Sequence, residues 1–417
     1  MQIIVLGAGV VGLTSAYYLR RAGHQVTVVD RQAEVAAETS YGNAGQLSYS
    51  YVAPLAGPGV LSKLPGWILR ADSPVRWRPS MSPEQWRWCL QFTLACSRRR
   101  SNVTTQQLLV LSFASRTLMH ELMRDEPQLE FDFHQSGKLV LHRDIHAMQS
   151  AVGLLDFQRS LGCEQTALSA DECVALEPAL ADVRGEIAGG IHTQSEDTAD
   201  CHRFCQGLAA ILRERGVQFA LNTPVDELRR SRNGEIEVRS GGTTLHAEHV
   251  VIATGAGAAQ LLRPLGIDVP VYPLKGYSLT YPLGPQSIAP RISVTDFARK
   301  TVYARLGDRL RVAGMADLVG YSLKPDPVRL ATLKAETAAF LPRLATDQGE
   351  VSEWTGLRPA TPRGTPIIGP TPYRNLWLNI GHGALGFTLS TGSAALLAGW
   401  LDERPDHARS NLFVLGD

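Results

Sequence analysis

The sequence predicts an α/β protein, α+β in its second part: a Rossmann-like domain assembled from discontinuous segments, plus a domain with a mostly antiparallel sheet. Three observations carry the Rossmann-like part of that expectation. An apolar strand runs into a glycine-rich turn at the N-terminus, a second apolar strand ends in glycine near residue 250, and a third strand, turn and helix close the chain. At 417 residues the chain is also longer than one domain of roughly 100–200 residues.

The first unit is Gln2-Ile3-Ile4-Val5-Leu6, an apolar run of the kind buried on both faces of a parallel sheet, followed by Gly7-Ala8-Gly9-Val10-Val11-Gly12. Gly7 permits the tight turn, Gly9 lets a pyrophosphate approach the backbone, and Gly12 lets the next helix pack on the strand. Phosphate would sit at that helix N-terminus. Val26–Val29 forms a second strand ending at Asp30, whose carboxylate would accept hydrogen bonds from ribose hydroxyls, and this acid argues against a 2′-phosphate despite Arg31 beside it.

No hydrophobic period fits the stretch Glu38 to Gln46, whose small residues, amides and hydroxyls suit a loop laid along a flat, hydrogen-bonding cofactor. That favours a flavin over a nicotinamide. The strand in Ala247–Gly255 returns the chain to the first sheet, and Leu376–Ile380 leads through Gly381-His382-Gly383-Ala384-Leu385-Gly386 into a last helix. Its amides and dipole offer a site for negative charge on a reduced flavin ring.

Composition excludes several classes. Lys+Arg 41 against Asp+Glu 40 leaves no global field for a polyanion, so no nucleic-acid partner is expected. Six cysteines give no disulfide framework, the first apolar segment is a strand motif, and no run of 18 apolar residues occurs, so a reduced, intracellular chain that does not span a bilayer is expected. Cys201 and Cys205 with His202, Asp197 and Asp200 do not have zinc spacing, and the apolar period there predicts a helix over about 199–215; no metal is expected. Arg98-Arg99-Arg100 reads as a solvated helix end.

In TSxxNAGQ (Thr39 to Gln46), the VVIATGA strand, Trp354-Thr355-Gly356-Leu357-Arg358-Pro359, Gly364–Gly369 and the closing GHGALGFTLSTGS, the chain resembles FAD-dependent D-amino acid dehydrogenases. They belong to the wider group of glycine oxidase, D-amino acid oxidase and monomeric sarcosine oxidase. The resemblance covers essentially the whole length. It implies an FAD-binding domain from 1–55, 195–265 and 350–417, with a substrate domain from 56–194 and 266–349. The implied cofactor-binding residues are Gly7, Gly9, Val10, Val11, Gly12, Asp30, Arg31, Thr39, Ser40, Asn43, Ala44, Gly45, Gln46, Thr254, Gly255, Gly381, His382, Gly383, Leu385, Gly386 and Thr388. His382 is expected to serve through its backbone.

The implied reaction is oxidative deamination of a D-amino acid by hydride transfer from Cα to FAD, with D-proline or hydroxyproline-type amines as further candidates and a quinone or electron-transfer component as acceptor. A substrate carboxylate calls for a planar arginine clamp, and the resemblance places it at Arg358, where an ordinary salt bridge is the alternative. Tyr303, in an expected hairpin over the ring, and Tyr277 are the other implied catalytic contacts; for Tyr303 the alternative is packing inside a sheet. No acid–base residue is assigned. Two departures stand out. Arg363 replaces the family's usual acid, and Leu385 stands where sarcosine oxidases carry lysine. With Cys205 the last cysteine, a C-terminal thioether is excluded, so FAD is expected to be non-covalent.

Trp67, Trp77, Trp86 and Trp88, with Val60, Leu61, Leu64, Ile68, Leu69, Leu90, Phe92 and the three arginines, suit a headgroup interface or an inward-packed subdomain. The resemblance favours the former, giving a cytoplasmic protein attached peripherally to the inner face of the cell membrane through residues 55–100. The rival functions are an oxygen-using oxidase of glycine or N-methyl amino acids and a non-catalytic flavoprotein subunit.

Overall fold

Both faces of the strand Gln2–Leu6 are buried, which explains its unbroken apolar run. Ile3 and Val5 pack with Val26, Val28 and Val251, whereas Ile4 and Leu6 pack with Val250, Ile252 and Leu378. The computed structural model describes residues 1–62, 66, 73–345, 349–403 and 413–415. In it this strand lies within a six-stranded sheet of order Ile367–Pro370, Leu376–Ile380, His249–Ile252, Gln2–Leu6, Gln25–Val29 and Gln218–Ala220. All neighbours are parallel except Ile367–Pro370. Helices Val10–Arg21, Arg98–Asp125, Cys201–Glu214 and Gly386–Glu403 cover one face; the three-stranded sheet of Glu227–Arg230, Ile236–Ser240 and Thr243–Leu245 packs on the other.

The second large sheet has nine strands, in the order Ser352–Ala360, Tyr272–Pro282, Arg309–Leu318, Thr301–Leu306, Ser293–Asp296, Lys138–His142, Gly189–Thr193 and Gln165–Leu168, with Val75–Trp77 beside Arg309–Leu318. It is mostly antiparallel, as expected, with parallel pairings where Ser293–Asp296 meets Lys138–His142 and where Val75–Trp77 joins. Its two faces differ. Helix Pro327–Phe340 covers the face bearing Leu139, Val294, Tyr303, Val312 and Tyr277. The opposite face carries Lys138, Ser293, Ala304, Arg311, Ser278 and Arg358 and looks toward the polar loop 39–46.

The expected helix near 199–215 is Cys201–Glu214, capped by Asp200, whose side chain accepts from the amides of His202 and Arg203. Asp200 also pairs with Arg309 at 2.9 Å and Asp197 with His120 at 2.7 Å, so both acids have structural tasks. The stretch Gly383–Asp402 is long and apolar enough by composition to cross a membrane, but 67% of it is buried inside the protein. It packs against Val10–Arg21 and Arg98–Asp125 as a core helix.

Candidate active site

The glycine-rich turn is held by close approach. A Cβ at Gly12 would lie 1.8 Å from the Gly7 carbonyl oxygen, and one at Gly7, whose φ is 110°, would lie 2.5 Å from the Ala253 carbonyl oxygen. These two contacts lock the first helix, the turn and the strand His249–Ile252 together. Asp30 leaves the end of its strand beside the turn, where Oδ2 accepts from the Ala8 amide at 2.6 Å and Oδ1 from the Gln32 amide at 2.8 Å. Burial pushes its carboxyl above the usual range and the two amides oppose that. Arg31 instead pairs at the surface with Glu38 at 2.6 Å.

The polar loop is tied to the rest of the protein by side chains. Ser40 Oγ accepts from the Val10 amide at 3.0 Å, Thr39 Oγ1 donates to the Leu357 carbonyl at 2.9 Å, and Asn43 Oδ1 accepts from the Gly45 amide at 2.9 Å. Gln46 donates to Ser293 and to Thr295 at 3.2 Å, and it accepts from the buried Lys138 Nζ at 2.9 Å. Thr388 Oγ1 accepts from the Ser48 amide at 3.1 Å, which sets this loop against the last helix. Ala44 and Leu385 are half-buried.

At the ends of the other two parallel strands, Thr254 and Gly255 (φ 54°) and then Gly381 (φ 80°), Gly383 (φ 55°) and Gly386 form the remaining turns. Open α/β sheets bind ligands at such carboxyl ends. The turns therefore converge where a long cofactor would lie.

A profile of the family described as "FAD dependent oxidoreductase" (DAO) matches residues 2–400. The chain belongs to this family. "D-amino acid dehydrogenase 2" of Ralstonia nicotianae is 52% identical over 416 residues, covering 97% of each chain; a protein of the same name from Pseudomonas aeruginosa is 45% identical over 409 residues, covering 97% of this chain and 95% of its own. Among solved structures, glycine oxidases from Bacillus cereus and Geobacillus kaustophilus superpose with TM-scores of 0.76 and 0.77 at 19% and 21% identity. They cover 99% of this chain and 98% and 96% of their own, and show the shared fold.

As a member of this DAO family, the chain works with FAD, and its residues fit the group. The Thr254 hydroxyl is buried without a protein partner among the described residues at the mouth of the sheet, and the tight Gly7–Gly12 turn, where a Cβ at Gly7 or Gly12 would strike backbone, sits at the N-terminus of helix Val10–Arg21, where a pyrophosphate would be held. Asp30 and the turn amides would hold the ribose and pyrophosphate ends; the loop 39–46 and the turn 381–388 would hold the ring. The His382 imidazole is buried with Nε2 3.1 Å from Ser393 Oγ, which leaves its backbone as the part that would face the group.

Burial lowers the His382 pKa to about 3, so this ring stays neutral in the folded protein while an unfolded histidine, with its pKa near 6.5, takes a proton. The unfolded state therefore binds more protons below pH 6.5. Stability is lost as pH falls from 6.5 toward 3, by about 2 kcal/mol at pH 5 from this group. Urea unfolding of His382→Gln against the parent at pH 7 and pH 5 checks this: the variant loses less stability on acidification by about that amount, and equal losses contradict it.

On the substrate side the structure separates the three expected residues. Arg358 lies on the face toward the loop, half-buried, with Nη1 donating to the Met315 carbonyl at 2.7 Å. Among the described residues no carboxylate pairs with it, so the ordinary salt bridge is absent. Burial lowers its pKa and Asp317 opposes the shift.

Tyr303 and Tyr277 require correction. Both alternate onto the face under helix Pro327–Phe340, where Tyr303 is 1% exposed and stacks on Phe340 at 4.5 Å, and where the Tyr277 hydroxyl donates to Asp317 at 2.9 Å. The expected hairpin exists, but the inward packing of its tyrosine is what the sheet delivers. Two loop-side residues went unrecognised. Arg311 is buried and donates through Nη1 to the carbonyls of Tyr41 and Asn43 at 3.2 and 3.0 Å, and the Trp354 ring lies where a Cβ at Gly42 would be, 2.0 Å away. Period-2 alternation puts Arg309 and Arg311 on one face of their strand, but does not say that this face is the one toward the loop.

Proposed function

We propose that this flavoenzyme oxidises D-amino acids to 2-oxo acids and ammonia and hands the electrons to a quinone or another non-oxygen component of an electron-transfer chain. The observation that carries the reading is Arg358, a guanidinium without a carboxylate partner among the described residues, on the face toward the FAD loop. The names borne by the relatives support it. Bound FAD supplies the acceptor for a hydride, two electrons and one proton, from the substrate Cα. The protein's share is positional: Arg358 would fix the carboxylate, the amine would enter neutral, and water would hydrolyse the released imino acid to the 2-oxo acid and ammonia. The segments 1–55, 195–265 and 350–417 serve the cofactor in this reading, and 56–194 with 266–349 the substrate, except that strand Ser352–Ala360, which carries Arg358, belongs to the second sheet and so to the substrate side. Incubation with D-alanine and a soluble quinone under nitrogen tests the whole reaction: stoichiometric pyruvate and ammonia support it, and turnover with oxygen alone favours an oxidase.

The same reading places the protein on the cytoplasmic face of the membrane. Leu64, Trp67, Ile68 and Leu69 lie outside the described residues. Of the others, Trp88 and Phe92 pack inward, with Trp88 Nε1 donating to the Ala360 carbonyl at 2.9 Å, while Trp77 is half-buried with its ring edge-to-face on Trp86. Helix Pro83–Ala95 turns Trp86, Leu90 and Leu94 outward at four-residue spacing, near the exposed Met81 and Arg98–Arg100. An apolar stripe beside cations suits an anionic lipid surface. Replacing Trp86, Leu90 and Leu94 by serine is expected to cut partition onto vesicles of anionic phospholipid about tenfold or more; sedimentation with unchanged partition contradicts this face.

A further inference from the structure

Arg358 has a seat in the sheet, and the seat is made of backbone. Between the pairs Lys275 with Asp317 and Tyr277 with Gly314 the ladder slips, so Met315 and Ala316 together oppose the single residue Gly276. Met315 takes φ of 62°, a conformation that long side chains adopt only where their surroundings impose it. Its carbonyl accepts from Arg358 Nη1 at 2.7 Å. A Cβ at Gly276 would lie 2.5 Å from Arg358 Cζ and 2.6 Å from both Nη atoms, so the guanidinium occupies the space a side chain there would fill. The neighbouring position across the strands is also glycine: Gly356 pairs with Gly276, and a Cβ there would fall 1.9 Å from Trp354 Cη2. Two facing glycines thus leave a depression that the Trp354 ring and the Arg358 guanidinium share.

We infer that Gly276 and the Met315 bulge are positioning residues for the substrate carboxylate, holding Arg358 in the one place and orientation where it faces the loop. This rests on the reading of Arg358 as the carboxylate clamp. Neither residue touches substrate; both act through the arginine.

The test is Gly276→Ala in the FAD-loaded protein. Loss of a charge-assisted pair gives a KM for D-alanine higher by about tenfold to a hundredfold, with kcat within about threefold and FAD content unchanged. In an Arg358→Ala background the same substitution adds less than about twofold, because its effect runs through the arginine. A crystal structure of Gly276→Ala shows the guanidinium displaced and its bond to the Met315 carbonyl broken. An arginine still on that carbonyl, or an equal KM rise with and without Arg358, overturns the inference. A native KM for Arg358→Ala alone defeats the clamp reading instead, and the crystal structure still decides the seat. Should Gly276→Ala not accumulate, Met315→Val and Met315→Asn serve: the β-branched residue resists positive φ and asparagine tolerates it, so valine raises KM more, and the reverse or an equal rank overturns the seat.

Discussion

Arg358→Ala raises KM for a D-amino acid about a hundredfold or more in this account, while the protein keeps its FAD. The guanidinium is half-buried, its only described hydrogen bond is to the Met315 carbonyl, and a carboxylate arriving there gains charge-assisted bonds of about 1.5–3 kcal/mol each. Lysine would restore the charge but not the planar fork, so Arg358→Lys is expected to recover only part of the loss. Steady-state kinetics with D-alanine, alongside the flavin absorbance of each variant, separates binding from cofactor loss. An unchanged KM removes Arg358 from the site.

The largest expected effect on stability is at Asp317, a fully buried carboxylate that accepts from Arg329 at 2.6 Å, Arg76 at 2.6 Å and the Tyr277 hydroxyl at 2.9 Å. Arg329 is 1% exposed and has no other carboxylate among the described ion pairs. Removing the acid leaves a buried cation unpaired, which costs about 3–5 kcal/mol. Asp317→Ala is therefore expected to lose that much in urea unfolding, whereas Asp317→Asn keeps some hydrogen bonds and loses less. A loss below about 1 kcal/mol for alanine means the network relaxes onto solvent.

How far the sequence reached depended on what each residue is used for. The turn Gly7–Gly12 and Asp30 were legible because close backbone approach admits few residue types, and the contacts at Gly7 and Gly12 show that limit directly. The helix behind Asp200 followed from its apolar period, and the mostly antiparallel second sheet from the family resemblance. Which face a strand residue takes was not legible. Tyr303 and Tyr277 alternate correctly, yet only the pairing with Val312 and Gly314 and the helix Pro327–Phe340 decide that both point inward. Arg311 was hidden for another reason: its partners are main-chain carbonyls of Tyr41 and Asn43, which carry no side-chain signature. The tryptophan-rich segment divided, since helix Pro83–Ala95 is two-sided and turns Trp88 inward and Trp86 outward.

The central claim is that this flavin accepts electrons from D-amino acids held by Arg358. Anaerobic mixing of the FAD-loaded protein with a panel of D- and L-amino acids, followed by flavin absorbance, tests it directly. Bleaching by D-enantiomers is expected, slowed at low substrate in Arg358→Ala, and none by the L-forms. No bleaching by any D-amino acid, or equal bleaching by both hands, contradicts it.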